Sequence, residues 1–258
     1  MKAGTARAHG NNDPNPGAAG GVTTPTLAQQ LKTQLLIASL CVLAVLLAES
    51  SLIVQWSNRS LIPSMLLMTV LPWGIIGALL WRGLSYHSYE RFGAANVLTL
   101  YRAAGTALLA GWVPAASQLP QTGLVWLSLI AVLLLSLDGL DGYLARRTRL
   151  ASAYGARFDM EIDALLTLVI SALVWQSGEA GIWILTLGLM RYVFVLAGTV
   201  VKALNNPLFP SFRRKLICVI QLATLCAMLS PWIQAPWSII LGILACVLLT
   251  ASFVRDTH

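Results

Sequence analysis

The sequence predicts an all-α membrane protein of about eight transmembrane helices, and three observations carry that prediction. Hydrophobic residues fill 57% and charged residues only 10% of the 258 positions, outside the range of ordinary soluble domains. The apolar residues gather into eight runs, at 31–56, 61–81, 94–116, 123–145, 153–177, 181–204, 215–233 and 235–254. A helix needs about 20 residues to cross some 30 Å of hydrocarbon, so each run is close to one span. None alternates with the period of a strand, and lipid tolerates no unpaired backbone, which leaves a helical bundle.

In order along the chain, residues 1–30 are rich in Gly, Pro, Asn, Ala and Thr without apolar periodicity, and read as a disordered cytoplasmic tail. The first apolar run begins too far from the start, and is too long, for a signal peptide. Segment 31–82 reads as a pair of helices, and 83–93, which holds His87 and Glu90, as a solvated interfacial linker. The six runs within 94–254 form the remainder.

Charge predicts the orientation. If the helices simply alternate, Lys2, Arg7, Lys32, Arg82, Arg91, Arg146, Arg147, Arg149, Arg157, Lys202, Arg213, Arg214, Lys215 and Arg255 fall on one side, and only Arg59 lies in a loop on the other. By the positive-inside rule both termini face the cytoplasm. Trp56, Trp112, Trp126, Trp175, Trp183, Trp232 and Trp237 then sit at outward-facing ends, with Trp81 at an inner end, as an interfacial belt. The formal net charge of +7 suits anionic lipid headgroups of a multi-pass inner or plasma membrane protein. No interleaving of aromatic and basic residues points to nucleic acid. Cys41, Cys218, Cys226 and Cys246 are scattered singly in apolar runs and read as small buried hydrophobes.

Acid is concentrated in one place. Asp138, Asp141, Asp159, Glu161 and Asp163 are five of the ten acidic residues. On a helix Asp138 and Asp141, three apart, share a face, as do Asp159 and Asp163, four apart. Two such faces brought together make a nest of carboxylate oxygens, which hard divalent cations prefer. Gly142 and Gly155 remove side chains beside the two pairs, so a ligand can approach bare backbone. Arg146 adds a planar, permanently charged donor suited to phosphate. Together these residues read as a metal site for a pyrophosphate. Glu161 is rotated by about 200° from Asp159 on an ideal helix and is left out of that cluster.

The pattern resembles the signature of the CDP-alcohol phosphotransferase (CDP-alcohol phosphatidyltransferase) family: D-x-x-D-G-x-x-A-R, eight or nine residues, then G-x-x-x-D-x-x-x-D. Asp138, Asp141, Gly142, Ala145, Arg146, Gly155, Asp159 and Asp163 fill its fixed positions, with eight residues between Arg146 and Gly155. Asn96, Leu98, Thr99 and Arg102 look like the N-x-L-T-x-x-R stretch at the start of the family's first core helix. The resemblance covers roughly 94–254 and implies a six-helix core, here preceded by two extra helices of unknown purpose.

What the resemblance implies is an enzyme, a transferase of phospholipid biosynthesis that moves a substituted phosphate from a CDP-linked donor to an alcohol and releases CMP. CDP-diacylglycerol is the expected donor. Two ions of Mg²⁺ or Mn²⁺ are expected, with Asp138, Asp141, Asp159 and Asp163 as ligands and Asp163 also as the base for the acceptor hydroxyl. Gly142, Ala145, Arg146 and Gly155 are expected at the CDP donor, with Asn96, Thr99 and Arg102 closing the nucleotide site from one helical face. A homodimer is also implied. Arg191, near mid-depth of its helix, is a functional candidate by its position alone; with Lys202, Arg213 and Arg214 it is assigned to a basic pocket for the acceptor. Those charges favour a phosphorylated acceptor such as glycerol 3-phosphate, with inositol phosphate, phosphatidylglycerol and serine as alternatives. A Mg²⁺-dependent prenyltransferase would carry other aspartate motifs, and an ion transporter would carry acids at mid-depth with an internal repeat. Neither pattern is found.

Overall fold

A computed structural model of the chain describes residues 26–56, 59–83, 94–148, 153–200 and 212–257; within these, the side chains of 50–56, 140–148, 153, 198–200, 212–215 and 253–257 lie outside the description. The tail expected over 1–30 falls almost wholly outside the described residues, as does the linker expected over 83–93.

Among the described residues there are eight α-helices and no strand. They are α1 (Leu27–Trp56), α2 (Ile62–Gly83), α3 (Ala94–Gly111), α4 (Gln121–Thr148), α5 (Ala153–Gln176), α6 (Leu185–Val200), α7 (Phe212–Leu229) and α8 (Trp237–Thr257). The all-helical fold of the sequence reading is the fold observed. The helix ends differ in places, each at a backbone signal. The third run was expected to continue to 116, but α3 stops at Gly111, and Pro114 lies in the first turn of a short 3₁₀ segment, Val113–Gln118. Proline has no N–H to give an α-helix, so the tighter turn takes over. Before α6, Ile182–Ile184 forms another 3₁₀ turn. At the other extreme, α4 continues to Thr148, so the first half of the acidic signature lies entirely on one helix.

Three segments, Leu27–Glu49, Arg59–Gly83 and Gln121–Gly139, are long and apolar enough to cross a membrane, and Ile182–Ala197, Leu216–Leu229 and Trp237–Ser252 are shorter apolar helices. Their outward faces are hydrocarbon: Leu36, Leu40 and Leu47 on α1, Leu67, Leu71 and Leu79 on α2, and Leu244 and Val247 on α8 are all exposed. In water such a surface would drive aggregation; in lipid it is matched to its surroundings. The two helices outside this set, α3 and α5, carry charge within their length. Arg102 lies on α3, and Arg157, Asp159, Glu161 and Asp163 lie on α5.

These two helices are also central. α3 packs against α1, α2, α4 and α5, and 11 of its 18 residues are buried. One core cluster joins α3, α4, α5, α7 and α8 around Leu109, Leu127, Ile170, Leu173, Leu225 and Met228. A second seats the N-terminal pair: Leu31 and Ala38 of α1 and Ile76 and Leu80 of α2 meet Leu100 and Ala103 of α3 and Phe158 and Ile162 of α5. Polar clasps reinforce this second contact. Trp112 Nε1 donates to Glu49 Oε1 at 2.7 Å, and the Tyr154 hydroxyl donates to the Leu80 carbonyl at 3.1 Å. Close approach of α3 and α4 depends on Gly105, where an added methyl would lie 2.7 Å from Leu134 Cδ2. That contact is one turn from Arg102 and beside the Leu134 carbonyl that Arg102 uses.

Candidate active site

The site is built from three helices. α4 supplies Asp138, α5 supplies Asp159 and Asp163, and α3 supplies Arg102. The spacing of four along α5 places its two aspartates one above the other on the face turned to α3. Antiparallel packing of α4 beside α3 brings Asp138 to the same place. One oxygen from each of the three carboxylates lies within 4.8 Å of the others, the arrangement of a group able to hold a metal ion.

Arg102 lies beneath them. Its Nη1 donates to Asp159 Oδ1 at 2.7 Å and lies 3.3 Å from Asp138 Oδ1. Nη2 is bonded to Asp163 Oδ1, and Nε donates to the Leu134 carbonyl at 3.3 Å. The arginine side chain is 0% exposed, whereas those of Asp138, Asp159 and Asp163 are 20%, 32% and 39% exposed. The difference defines a bowl with a cationic floor and an anionic rim open on one side. Burial of an arginine is tolerable only when its charge is met and its donors are used, and here three carboxylates and a backbone carbonyl do both.

Around this centre several hydroxyls are turned back into their own helices. Thr99 Oγ1 donates to the Ala95 carbonyl at 3.0 Å, Thr106 Oγ1 to that of Arg102 at 2.8 Å, and Thr167 Oγ1 to that of Asp163 at 2.7 Å. These bonds absorb hydroxyls that hydrocarbon cannot solvate. Asn96 and Thr99 are buried on the same face of α3 as Arg102, and Gly155 is half-buried in the first turn of α5.

Arg191 of α6 is placed against Glu161 of α5. Its Nη2 donates to Glu161 Oε1 at 2.5 Å, and its buried Nε has no hydrogen-bond partner among the described residues. Glu161 is two residues from Asp159, so this pair occupies the face of α5 turned away from the aspartates. Sequence reasoning gave Glu161 no role; a lone cation on a neighbouring apolar helix was the signal that an acid had to meet it. The remaining expected residues are only partly described. Asp141, Gly142, Ala145 and Arg146 lie on α4, and Arg213 and Arg214 on the first turn of α7, with side chains outside the described residues; Lys202 lies outside them altogether.

A helical bundle with a hydrocarbon exterior, whose buried centre presents clustered carboxylates to one open side, defines a membrane protein with a polar, cation-receptive site. A family model described as CDP-alcohol phosphatidyltransferase matches residues 92–251, well over half of the sequence and all of α3 to α7 with most of α8. The chain belongs to the CDP-alcohol phosphatidyltransferase family. Its chemistry is therefore transfer of a phosphate-containing group from a CDP-alcohol to an alcohol acceptor. No curated protein and no solved structure matches the chain.

Proposed function

We propose that this protein is a CDP-diacylglycerol-dependent phosphatidyltransferase of phospholipid biosynthesis, with an anionic acceptor such as glycerol 3-phosphate. The observation that carries the reading is the convergence of Asp138, Asp159 and Asp163, residues at the family's signature positions, into one cluster open on one side. A donor with acyl tails needs a site that lipid can reach, whereas CMP and a polar acceptor need water. A bundle with an apolar exterior and a polar bowl answers both.

The donor set fits a hard divalent cation: three carboxylate oxygens, no sulfur and no imidazole. Asp138, Asp159 and Asp163 would hold it, joined by Asp141 from the signature. Bound there, two ions of Mg²⁺ or Mn²⁺ would supply charge neutralisation for a pyrophosphate.

The chain's own residues do the rest. Asp163, the most exposed of the three carboxylates, takes the proton from the acceptor hydroxyl. The freed oxygen forms a bond to the phosphorus that bears the diacylglycerol, the bond from that phosphorus to the CMP oxygen breaks, and CMP leaves with the electron pair. Arg146 holds a donor phosphate, and Gly142, Ala145 and Gly155 leave room for the cytidine end, with Asn96, Thr99 and Arg102 closing it from one face of α3, Arg102 by way of the carboxylates it binds. Lys202, Arg213 and Arg214 attract the acceptor's charge, and Arg191, held by Glu161 on the far face of α5, adds to that field from behind the aspartates. The excess of Lys and Arg on one side puts this site and both termini at the cytoplasmic face.

The test is release of CMP from CDP-diacylglycerol by the purified protein in detergent with Mg²⁺, across a panel of glycerol 3-phosphate, inositol phosphate, phosphatidylglycerol and serine. Release with glycerol 3-phosphate alone is the expected result. Release only with an uncharged or zwitterionic acceptor overturns the acceptor assignment, and absence of both CMP release and donor binding overturns the donor.

A further inference from the structure

We propose that Arg102 is a resident counter-cation of the aspartate cluster, which gathers Asp138, Asp159 and Asp163 and competes with a divalent cation for the same carboxylates. The proposal rests on the metal-dependent reading above and assigns a positioning role to a residue of α3, outside the acidic signature.

Three features of the arginine support it. Both terminal nitrogens are bonded to carboxylates, Nη1 to Asp159 with Asp138 beside it, and Nη2 to Asp163. These carboxylates are the same three whose oxygens cluster tightly enough to receive a metal. The guanidinium cannot leave by swinging into water, because the side chain is fully buried and Nε is tied to the Leu134 carbonyl at 3.3 Å.

The charges then decide the consequence. Three carboxylates drawn together from two helices repel one another, and a fixed guanidinium offsets part of that repulsion when no metal is bound. A divalent cation entering the cluster meets a positive charge that it cannot displace to solvent, at low effective dielectric. Arg102 thus keeps the cluster assembled and weakens its hold on metal. A merely structural arginine would behave in the opposite way: removing it would loosen the aspartates and weaken metal binding.

The experiment is Mn²⁺ titration of the purified full chain, with free Mn²⁺ read by electron paramagnetic resonance, in wild type, Arg102→Gln, Arg102→Lys and Asp159→Asn. Arg102→Gln is expected to bind Mn²⁺ at least about tenfold more tightly than wild type, with a lower melting temperature before Mn²⁺ is added and a larger rise after it. Unchanged or weaker Mn²⁺ binding by Arg102→Gln, with binding still lost in Asp159→Asn, overturns the proposal while leaving the metal site intact. If neither wild type nor Arg102→Gln binds Mn²⁺ through Asp159, the metal-dependent reading fails and the proposal with it. Should Arg102→Gln not fold, Arg102→Lys decides. It keeps the competing charge but not the fork of donors, so it is expected to bind Mn²⁺ no more than about threefold more tightly than wild type, and a tenfold weakening there overturns the competition.

Discussion

Removing either partner of the Arg191 and Glu161 pair has opposite consequences for the acceptor. Nη2 of Arg191 lies 2.5 Å from Glu161 Oε1, and the side chains are 33% and 49% exposed. Two unit charges about 4 Å apart at an effective dielectric of 20 attract by about 4 kcal/mol. Screening at this exposure and the ordering of two long side chains reduce the net coupling to about 1 kcal/mol. Across the width of α5, roughly 10 Å, a unit charge at the same dielectric is worth about 1.7 kcal/mol to an acceptor phosphate, and about half of that after screening. Arg191→Ala should therefore raise the acceptor's KM by about fourfold and leave that of the CDP-linked donor nearly unchanged. Glu161→Gln leaves the field of Arg191 unopposed and should lower the acceptor's KM by a similar factor. The assay is initial-rate CMP release with each substrate varied in turn. Equal effects of Arg191→Ala on donor and acceptor, or a rise in acceptor KM on Glu161→Gln, would refute the reasoning and leave the pair as a tie between α5 and α6.

Other consequences follow from single contacts. Asp163→Asn keeps the shape of the side chain but removes its basicity, and should lower turnover by about 10² to 10⁴ while equilibrium binding of CDP-diacylglycerol persists. At Gly188, where α6 crosses α5, a side-chain carbon would lie 2.8 Å from Ser171 Oγ and press on the Leu168 backbone. Gly188→Val should thus destabilise the bundle by about 1–3 kcal/mol, seen as a lower melting temperature in detergent. Trp112→Phe deprives Glu49 of its donor between the N-terminal pair and the core. It should destabilise by about 1–3 kcal/mol, with Glu49→Gln milder because an amide oxygen still accepts the bond.

The part of this site that the sequence exposes is the part written in helical periodicity. Spacings of three and four convert directly into shared faces, so Asp159 and Asp163 were legible as one surface and Glu161 as lying off it. Their convergence with Asp138 followed from the family resemblance and from the expense of leaving acid unmatched in an apolar chain. The partners of Arg102 were not legible in the same way. Its burial on α3 demanded a counter-charge, but only the packing of α3 between α4 and α5, with Gly105 letting Leu134 close in, decides that the counter-charge is the signature itself. Arg191 is similar. A mid-helix cation signals a site or a partner, and the antiparallel register of α5 and α6 selects Glu161, 30 positions away. The eight apolar runs anticipated eight helices because hydrocarbon length is a composition signal. The end of α3 is the exception: an apolar run continues through Pro114, and hydrophobicity alone does not register a missing N–H.

Metal dependence of the transfer tests the central claim most directly. CMP release from CDP-diacylglycerol would be measured in the purified wild-type protein, again after exhaustive chelation with EDTA, and again after excess Mg²⁺ or Mn²⁺. If Asp138, Asp159 and Asp163 form the catalytic metal site, chelation abolishes release, the ions restore it, and Asp159→Asn remains inactive at every concentration added. Release that survives chelation, or that persists undiminished in Asp159→Asn, would contradict the account.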